Sequence, residues 1–337
     1  MNPPKCRDED YIQWLIASPK TITCTQASQA SPNLVAHDSY TRLLDRLVPN
    51  SDELWQEVES LIDRKTGCLV CDDCTLDKPY GPHIELVTRH WSGKHRGVVQ
   101  GINLITLLWT DGDIAIPVDY RIYNKDVDGL TKNDHLRQML HTARQRLFEP
   151  ECVLWDSWYS SLANLKLLRQ WSWPFFVAMK GNRKVNPDGE GNRPISELEW
   201  KTHSQRGHLK GFGWVQLYQD VRKDGEDTRY FIGSEGTQSE LCEAQVKQKQ
   251  EQAYQIEGYH RGLKQECHIE RSQVRKERKQ RNHIGLSIRA FVRLEVYRYK
   301  TGISRFEAKS TILREAIRRY LADPLIFLHV NLKPLPV

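Results

Sequence analysis

CVLWDSWYSSLANLKLLRQWSWPFFVAMK, residues 152–180, reads as a strand, a helix and a second strand. The run CVLW stops at Asp156, SSLANLKLLRQW has helical character, and PFFVAMK is again a strand. Upstream, NDHLRQMLHTARQRL (133–147) is a helix with Asn133 or Asp134 as its cap. Before it stand three strand candidates in succession: CLVC after the Lys65-Thr66-Gly67 turn, GVVQGINLITLLWT (97–110), and IAIPVDYRIY after TDGD. Pro117 places the third at an edge or a bulge, because proline has no N–H to give a ladder. The order is therefore three strands, helix, strand, helix, strand.

Downstream, residues 181–237 change character. GNRKVNPDGEGNRP is followed by FGWVQLYQDV and TRYFIG, with Lys223-Asp224-Gly225 as a hairpin turn. This tract reads as a β insertion. From Ser239 onward the chain is helical, with AYQIEGYHRGLKQ (253–265) on the first long helix. HIGLSIRAFVRLEVYRYK and SRFEAKSTILREAIRRYLA follow, parted near Gly302, and Pro324 and PLPV mark a tail. Residues 1–62 are helical too: DYIQWLIAS stops at Pro19, Asp38 and Ser39 can cap SYTRLLDRL, and DELWQEVESLI is amphipathic. Short helices with tight connections fit a helix-turn-helix-like DNA-binding module or a helical cap equally well. The expected organisation is 1–62 helical module, 63–180 with 238–300 catalytic domain, 181–237 insertion, and 301–337 C-terminal helix and tail.

The 337 residues include ten Trp and thirteen Tyr, enough bulk for a sizeable core. No apolar run reaches the eighteen or so residues of a membrane span, and MNPPKCRDEDYIQW is too polar for a signal peptide. A soluble cytoplasmic protein is expected. Net charge is +6, and its distribution tells more than its size. RSQVRKERKQR carries Arg271, Arg275, Lys276, Arg278, Lys279 and Arg281 against one Glu. Placed directly after the Glu257 helix, this block reads as a contact surface for a phosphate backbone, with a solvated helix face as the alternative. Eight scattered cysteines read as reduced thiols. Cys68, Cys71 and Cys74 have a zinc-like spacing that His83 or His90 could complete, but a matching second pair is missing.

Three acids stand out. Asp73 follows GCLVCD, Asp156 follows CVLW, and Glu257 shares a helix face with Arg261 and Lys264. Adjacent strands bring the first two together, and a helix across the sheet brings the third. Carboxylates so arranged hold a pair of hard divalent cations, Mg²⁺ or Mn²⁺, for phosphodiester chemistry on nucleic acid. Asp72 and Asp73 face opposite sides of their strand, so one of the two at most enters such a site.

DDCTLDKPYG, LWDSWY, YQIEGYHRGLKQ and RNHIGLSIRAFVRLE resemble the DDE transposases of bacterial insertion sequences, in the group with a β insertion before the catalytic Glu. The resemblance spans residues 65–300. It implies an α/β fold: an RNase H-like (retroviral-integrase-like) mixed sheet flanked by helices. It also implies Asp73, Asp156 and Glu257 as the metal-binding triad, Asp73 being favoured because Lys78 follows it by five residues. Lys78, Arg261 and Lys264 would join the basic block as DNA contacts. The activity implied is metal-dependent cleavage at transposon ends and strand transfer, with terminal inverted repeats and target DNA as substrates. A homodimer on DNA and a bacterial, nucleoid-associated location follow from the same likeness. Gln250 and Ala253 stand where the family commonly has Tyr and Arg. Two other readings remain: a nuclease or resolvase without strand transfer, and a catalytically impaired DNA-binding derivative.

Overall fold

The computed structural model describes residues 4–20, 22–93, 95–221, 228–234 and 240–326. The expected Lys223-Asp224-Gly225 turn and the PLPV end lie outside them. Four short helices open the chain: α1 (Asp8–Ala17), α2 (Cys24–Ala30), α3 (His37–Arg46) and α4 (Asp52–Val58). Strands β1 (Cys68–Asp77), β2 (Thr88–Ser92), β3 (Gly97–Thr110) and β4 (Ala115–Tyr123) follow, then α5 (Lys132–Gln145), β5 (Cys152–Trp155), α6 (Leu162–Gln170) and β6 (Phe175–Met179). The next tract holds β7 (Lys184–Val185), β8 (Arg193–Pro194), β9 (Ser204–Leu209), β10 (Gly213–Val221) and β11 (Thr228–Gly233). Three long helices close the described chain: α7 (Glu243–Gln265), α8 (Glu277–Thr301) and α9 (Arg305–Ala322).

One mixed sheet organises these elements. β3 pairs antiparallel with β1, and β1, β5 and β6 run parallel. β4 and β2 share the outer side of β3, which is long enough to pair with both. The order β4-β3-β1-β5-β6, with α5 and α6 as the crossovers, is the RNase H-like arrangement expected from the sequence. As that reading anticipated, β4 lies on the rim of the sheet and its register with β3 slips beside Pro117. The strands of the 181–237 tract are not set apart from the sheet. β11 pairs antiparallel with β6, and β10 and β9 extend the same sheet beyond it.

Three details depart from the sequence reading. β1 does not stop at Asp73 but runs on to Asp77, because its polar second half stays paired to β3 from Thr106 to Gly101. β2 (TRHWS) has no clear alternation in the sequence, because Arg89 and His90 interrupt it. α2 (CTQASQA) has a single buried side chain, Ala27, so no apolar period announces it. Among the described residues no helix is long and apolar enough to cross a membrane.

The N-terminal helices spend their inner faces on α8. Tyr11 Oη meets His283 Nδ1 at 3.0 Å, and Asn282 donates to the carbonyls of Leu44 and Leu47 at 2.8 and 2.9 Å. Arg289, almost buried, reaches Asp8 at 2.5 Å, Glu57 at 2.6 Å and Glu53 at 2.9 Å. Arg293 pairs with Glu9 at 2.6 Å and Glu57 at 3.1 Å. These four helices form a layer on α8, the cap. α7 and α8 approach closely at Gly262, where an added Cβ would lie 2.7 Å from the Phe291 ring, and α8 meets β4 at Gly285, where one would lie 2.6 Å from Tyr120 Oη. In α9 the first turn is anchored, through Arg305 to Glu295 and through Lys309 to the carbonyls of Leu15 and Glu266, while none of its residues is buried.

The cap depends on pH. Burial opposes ionisation of Asp8, Glu9 and Glu57, yet the guanidinium groups of Arg289 and Arg293 outweigh it and hold all three below the usual range. Depressed folded values mean that this stabilisation is complete above the ordinary carboxylate pKa, about 4, and is lost as pH falls below it. Amide exchange in α1 and α4 should therefore accelerate on acidification before exchange in β3 and β5 does. Arg289→Met, which takes the guanidinium from Asp8 and Glu53 and leaves Glu57 with Arg293 alone, should cost about 3 kcal/mol in urea denaturation at pH 7.

Candidate active site

Alternation along β1 decides which side chains meet. Cys68, Val70, Asp72 and Cys74 face α7, and Leu69, Cys71, Asp73 and Thr75 face the other way. Cys68 Sγ lies 3.3 Å from Gln252 Oε1 and 3.4 Å from Lys249 Nζ, both on α7. Further along, Lys264 Nζ donates to the Thr75 carbonyl at 2.7 Å. The same alternation sends Cys71 away from Cys68 and Cys74, so the zinc-like spacing cannot converge. Among the described residues no three His, Cys, Asp or Glu side chains stand at ligating distance from one point.

Asp73 is fully engaged on the face away from α7. Its Oδ2 accepts from Lys132 Nζ at 2.6 Å and Asn103 Nδ2 at 2.7 Å, and its Oδ1 accepts from Tyr159 Oη at 2.7 Å. Burial works against its charge, but Lys132 and these hydrogen bonds prevail and hold the carboxyl below the usual range. A carboxylate with both oxygens occupied and a cation at 2.6 Å is a structural anchor. It ties β1 to β3, to the N-terminal turn of α5 and to the loop after β5.

Asp72 has the opposite surroundings. Burial and then Asp73, Asp156 and Glu257 push its carboxyl well above the ordinary range; its chief charged neighbours are thus all acids. Cys71 and Trp155 are paired across β1 and β5, so Asp72 and Asp156 follow at equivalent positions on the two parallel strands. Asp156 is itself raised by burial and by Asp73, against the N–H of Trp158, which donates to its Oδ1 at 2.9 Å. Glu257 is exposed on α7. One turn further on, His260 Nδ1 lies 4.0 Å from Asp72 Oδ2. Burial and then Lys264 lower His260 to about 4, so its ring is neutral at pH 7. Asp156 and Glu257 are thus among the acids nearest Asp72, while Asp73, its side chain turned from α7, is the acid that acts on Asp156.

The expected DNA contacts divide as well. Lys78 is buried, with Nζ on the carbonyls of Glu270 at 2.8 Å and Ser272 at 2.6 Å, and burial lowers it to about 8. It fixes the loop after α7 and has no face to offer DNA. Lys264 is committed to Thr75 and to Glu270 at 3.0 Å. Lys276 pairs with Glu85, Lys279 with Asp45 and Arg281 with Glu277, and Arg278 donates to the Leu47 carbonyl at 2.9 Å. Arg261, Arg271 and Arg275 are exposed. A cation's type and position in sequence do not reveal whether a neighbouring carbonyl or carboxylate already holds it.

Two further side chains frame the site. Trp155 is buried, with Nε1 donating to Ser160 Oγ at 3.2 Å, whereas Trp158 is 57% exposed beside Asp156. Lys180 Nζ lies 5.5 Å from the Trp158 ring. The loop carrying Trp158 is rigid: Tyr159 bonds Asp73, Ser160 Oγ donates to the Ala178 carbonyl at 2.6 Å, and Asn164 Nδ2 donates to the Tyr159 carbonyl at 2.8 Å. Trp214, the other aromatic of interest, lies on β10 under Arg206, 4.7 Å from its ring.

A sequence profile described as DDE superfamily endonuclease matches residues 35–212, just over half of the chain. No protein of curated function matches. A solved structure of piggyBac transposase, in a synaptic complex with hairpin DNA, is similar over 95% of this chain and 73% of that one, at 12% identity and a TM-score of 0.49. So distant a likeness supports no inference about chemistry.

Opposite electrostatics of neighbouring residues give a direct test. Asp73→Asn should destabilise by about 2–4 kcal/mol, because it removes the partner of a half-buried lysine. Asp72→Asn should leave the melting temperature unchanged or raise it, since it relieves repulsion among acids. Thermal unfolding of the two metal-free variants separates anchor from site residue; equal losses would reject the distinction.

Proposed function

This chain belongs to the DDE superfamily of endonucleases, and from that premise we propose that it cuts DNA at Asp72, Asp156 and Glu257. The supporting observation is the crowding of acids about Asp72, whose carboxyl is pushed well above the ordinary range by burial and then by Asp73, Asp156 and Glu257. The three acids do not stand at ligating distance from one point; were their side chains to converge, hard oxygen donors of this kind would suit Mg²⁺ or Mn²⁺. A divalent cation, when bound, activates the attacking oxygen and offsets charge on the leaving one.

The remaining work falls to the protein. Asp73, Tyr159 and Lys132 fix the strand and loop that carry Asp72 and Asp156, so the acids are held before substrate arrives. α7 brings Glu257 over the sheet, clamped to β1 by Lys264 and Gln252. Trp158 and Lys180 offer a stacking face and a charge at the rim, a combination suited to an unstacked base and its phosphate. Arg261, Arg271 and Arg275 supply exposed charge for the backbone.

The finer reading is cut-and-paste transposition. Hydrolysis at the end of an element frees a 3′-OH, which then attacks target DNA in line. Two ends acted on together would need two copies of the chain. A nuclease without strand transfer shares the site, and the product formed from precleaved ends tells them apart: joined DNA for a transposase, nicks or fragments for a nuclease.

Asp72→Asn, Asp156→Asn and Glu257→Gln should each lower metal-dependent cleavage about 10³-fold or more while the protein stays folded. Cleavage by Asp72→Asn at the wild-type rate would return the assignment to Asp73. For DNA affinity, Arg261→Ala, Arg271→Ala and Arg275→Ala should each reduce the slope of log affinity against log salt by about 1. Lys264→Ala should leave that slope unchanged, because its ammonium is spent on Thr75 and Glu270.

A further inference from the structure

Strands β2 and β3 run on together past the end of β1 as a two-stranded ribbon. β1 ends at Asp77, opposite Gly101, and from Gly97 to Gln100 the only strand paired with β3 is β2. One face of the ribbon is used inside the protein: His90 and Ser92 are buried, and the His90 ring lies 6.3 Å from that of Tyr123. The other face is open. It carries Arg89 opposite Gln100 and Trp91 opposite Val98, all exposed, with Trp91 69% and Val98 64% accessible. In the connection between the strands, His95 Nε2 lies 3.0 Å from Asp77 Oδ2 and ties the ribbon back to β1.

Charge says what this face fits. TRHWSGKHRGVVQ (88–100) contains Arg89, Lys94 and Arg96 and no Asp or Glu. Arg89 and Arg96 are exposed and have no carboxylate partner among the described residues. That separates them from the basic stretch after α7, much of which is already paired. An exposed Trp–Val pair between unpaired arginines matches a polyanion with apolar surface between its charges. Duplex DNA is such a partner, with sugars and base edges between its phosphates, and its major groove admits a two-stranded ribbon. Position agrees with this. Asp72 is opposite Thr106, and every second residue of β3 from there to Val98 stands on the same face of the sheet. The open face of the ribbon therefore continues the face of Asp72, about 25 Å further along the strand. That is the rise of roughly seven base pairs.

We propose that the β2–β3 ribbon is a docking arm for duplex DNA, with Arg89 and Arg96 on phosphates and Trp91 and Val98 against sugars and base edges in the groove. The inference rests on the reading of this chain as a nuclease that acts on DNA. The ribbon takes no part in bond cleavage; it holds the duplex to one side of the cut. An acidic protein would answer the same charge, but it would not place a nucleotide within reach of Val98.

The test measures binding of the full chain, without divalent metal, to a fluorescein-labelled DNA duplex of about three helical turns. Arg89→Ala and Arg96→Ala should each reduce the slope of log affinity against log salt by about 1. Trp91→Ala should weaken binding about 10-fold at an unchanged slope, the scale of a lost aromatic contact, and Trp91→Phe should recover most of it. With Val98 replaced by p-benzoylphenylalanine, irradiation should join the chain to the duplex. All four positions are exposed, so melting temperatures should stay at the wild-type value. Wild-type slopes in both arginine variants, with no cross-link to DNA from position 98, would overturn the proposal. A cross-link that forms only to protein would overturn it too. If the wild-type chain binds no duplex, the nuclease reading fails and the arm with it. If Arg261→Ala lowers the slope and the ribbon variants do not, only the arm has failed.

Discussion

Consecutive side chains on a strand point to opposite faces of the sheet, and at positions 72 and 73 that constraint separates two carboxylates into two chemistries. Asp73 meets a lysine, a tyrosine hydroxyl and an amide, and becomes a fully satisfied anchor. Asp72 meets acids and a neutral imidazole, and burial together with those acids pushes its carboxyl well above the ordinary range. The rest of the site depends on this division. The anchored residue holds β1, β3, the start of α5 and the loop after β5 in fixed relation, and the unanchored one is thereby held among acids.

Positive charge follows the same logic of prior engagement. The basic stretch after α7 resembles a polyanion surface when it is written out, yet much of it is already spent. Lys276, Lys279 and Arg281 have carboxylate partners, Arg278 has a backbone carbonyl, and Arg289 and Arg293 bind the acids of the N-terminal helices. The pairs of Lys279, Arg289 and Arg293 join the cap to α8, which in turn packs on α7 and β4. Charge that would attract DNA over the whole C-terminal half is instead distributed between holding the cap and leaving a few exposed arginines.

Lys78 and Lys264 show how one residue type serves position instead of affinity. Each sends its ammonium to main-chain carbonyls, Lys78 on the loop after α7 and Lys264 on β1. A lysine used this way sets the distance between helix and strand, and α7 is the element that carries Glu257. Inside the protein both lysines thus hold helix, strand and loop together through main-chain carbonyls.

Much of the fold was legible in the order of residues alone. The succession of apolar runs and amphipathic segments gave the strands β1, β3, β4, β5 and β6, the helices α5 to α8 and the rim position of the strand with Pro117, because periodicity and proline chemistry are local properties. β2 and α2 were not legible, since neither has a clean apolar period, and neither was the joining of β9–β11 to the main sheet, which is a pairing between distant segments. In the proposed site, Asp156 and Glu257 are legible as candidates from their places after a strand and on a helix. The different surroundings of Asp72 and Asp73, and the engagement of Lys78, Lys264 and the arginines of α8, belong to the tertiary structure. Sequence fixes which face each strand residue takes relative to its neighbours, but which face is covered by α7, and which partner already neutralises a charge, is settled only when segments some two hundred residues apart pack together.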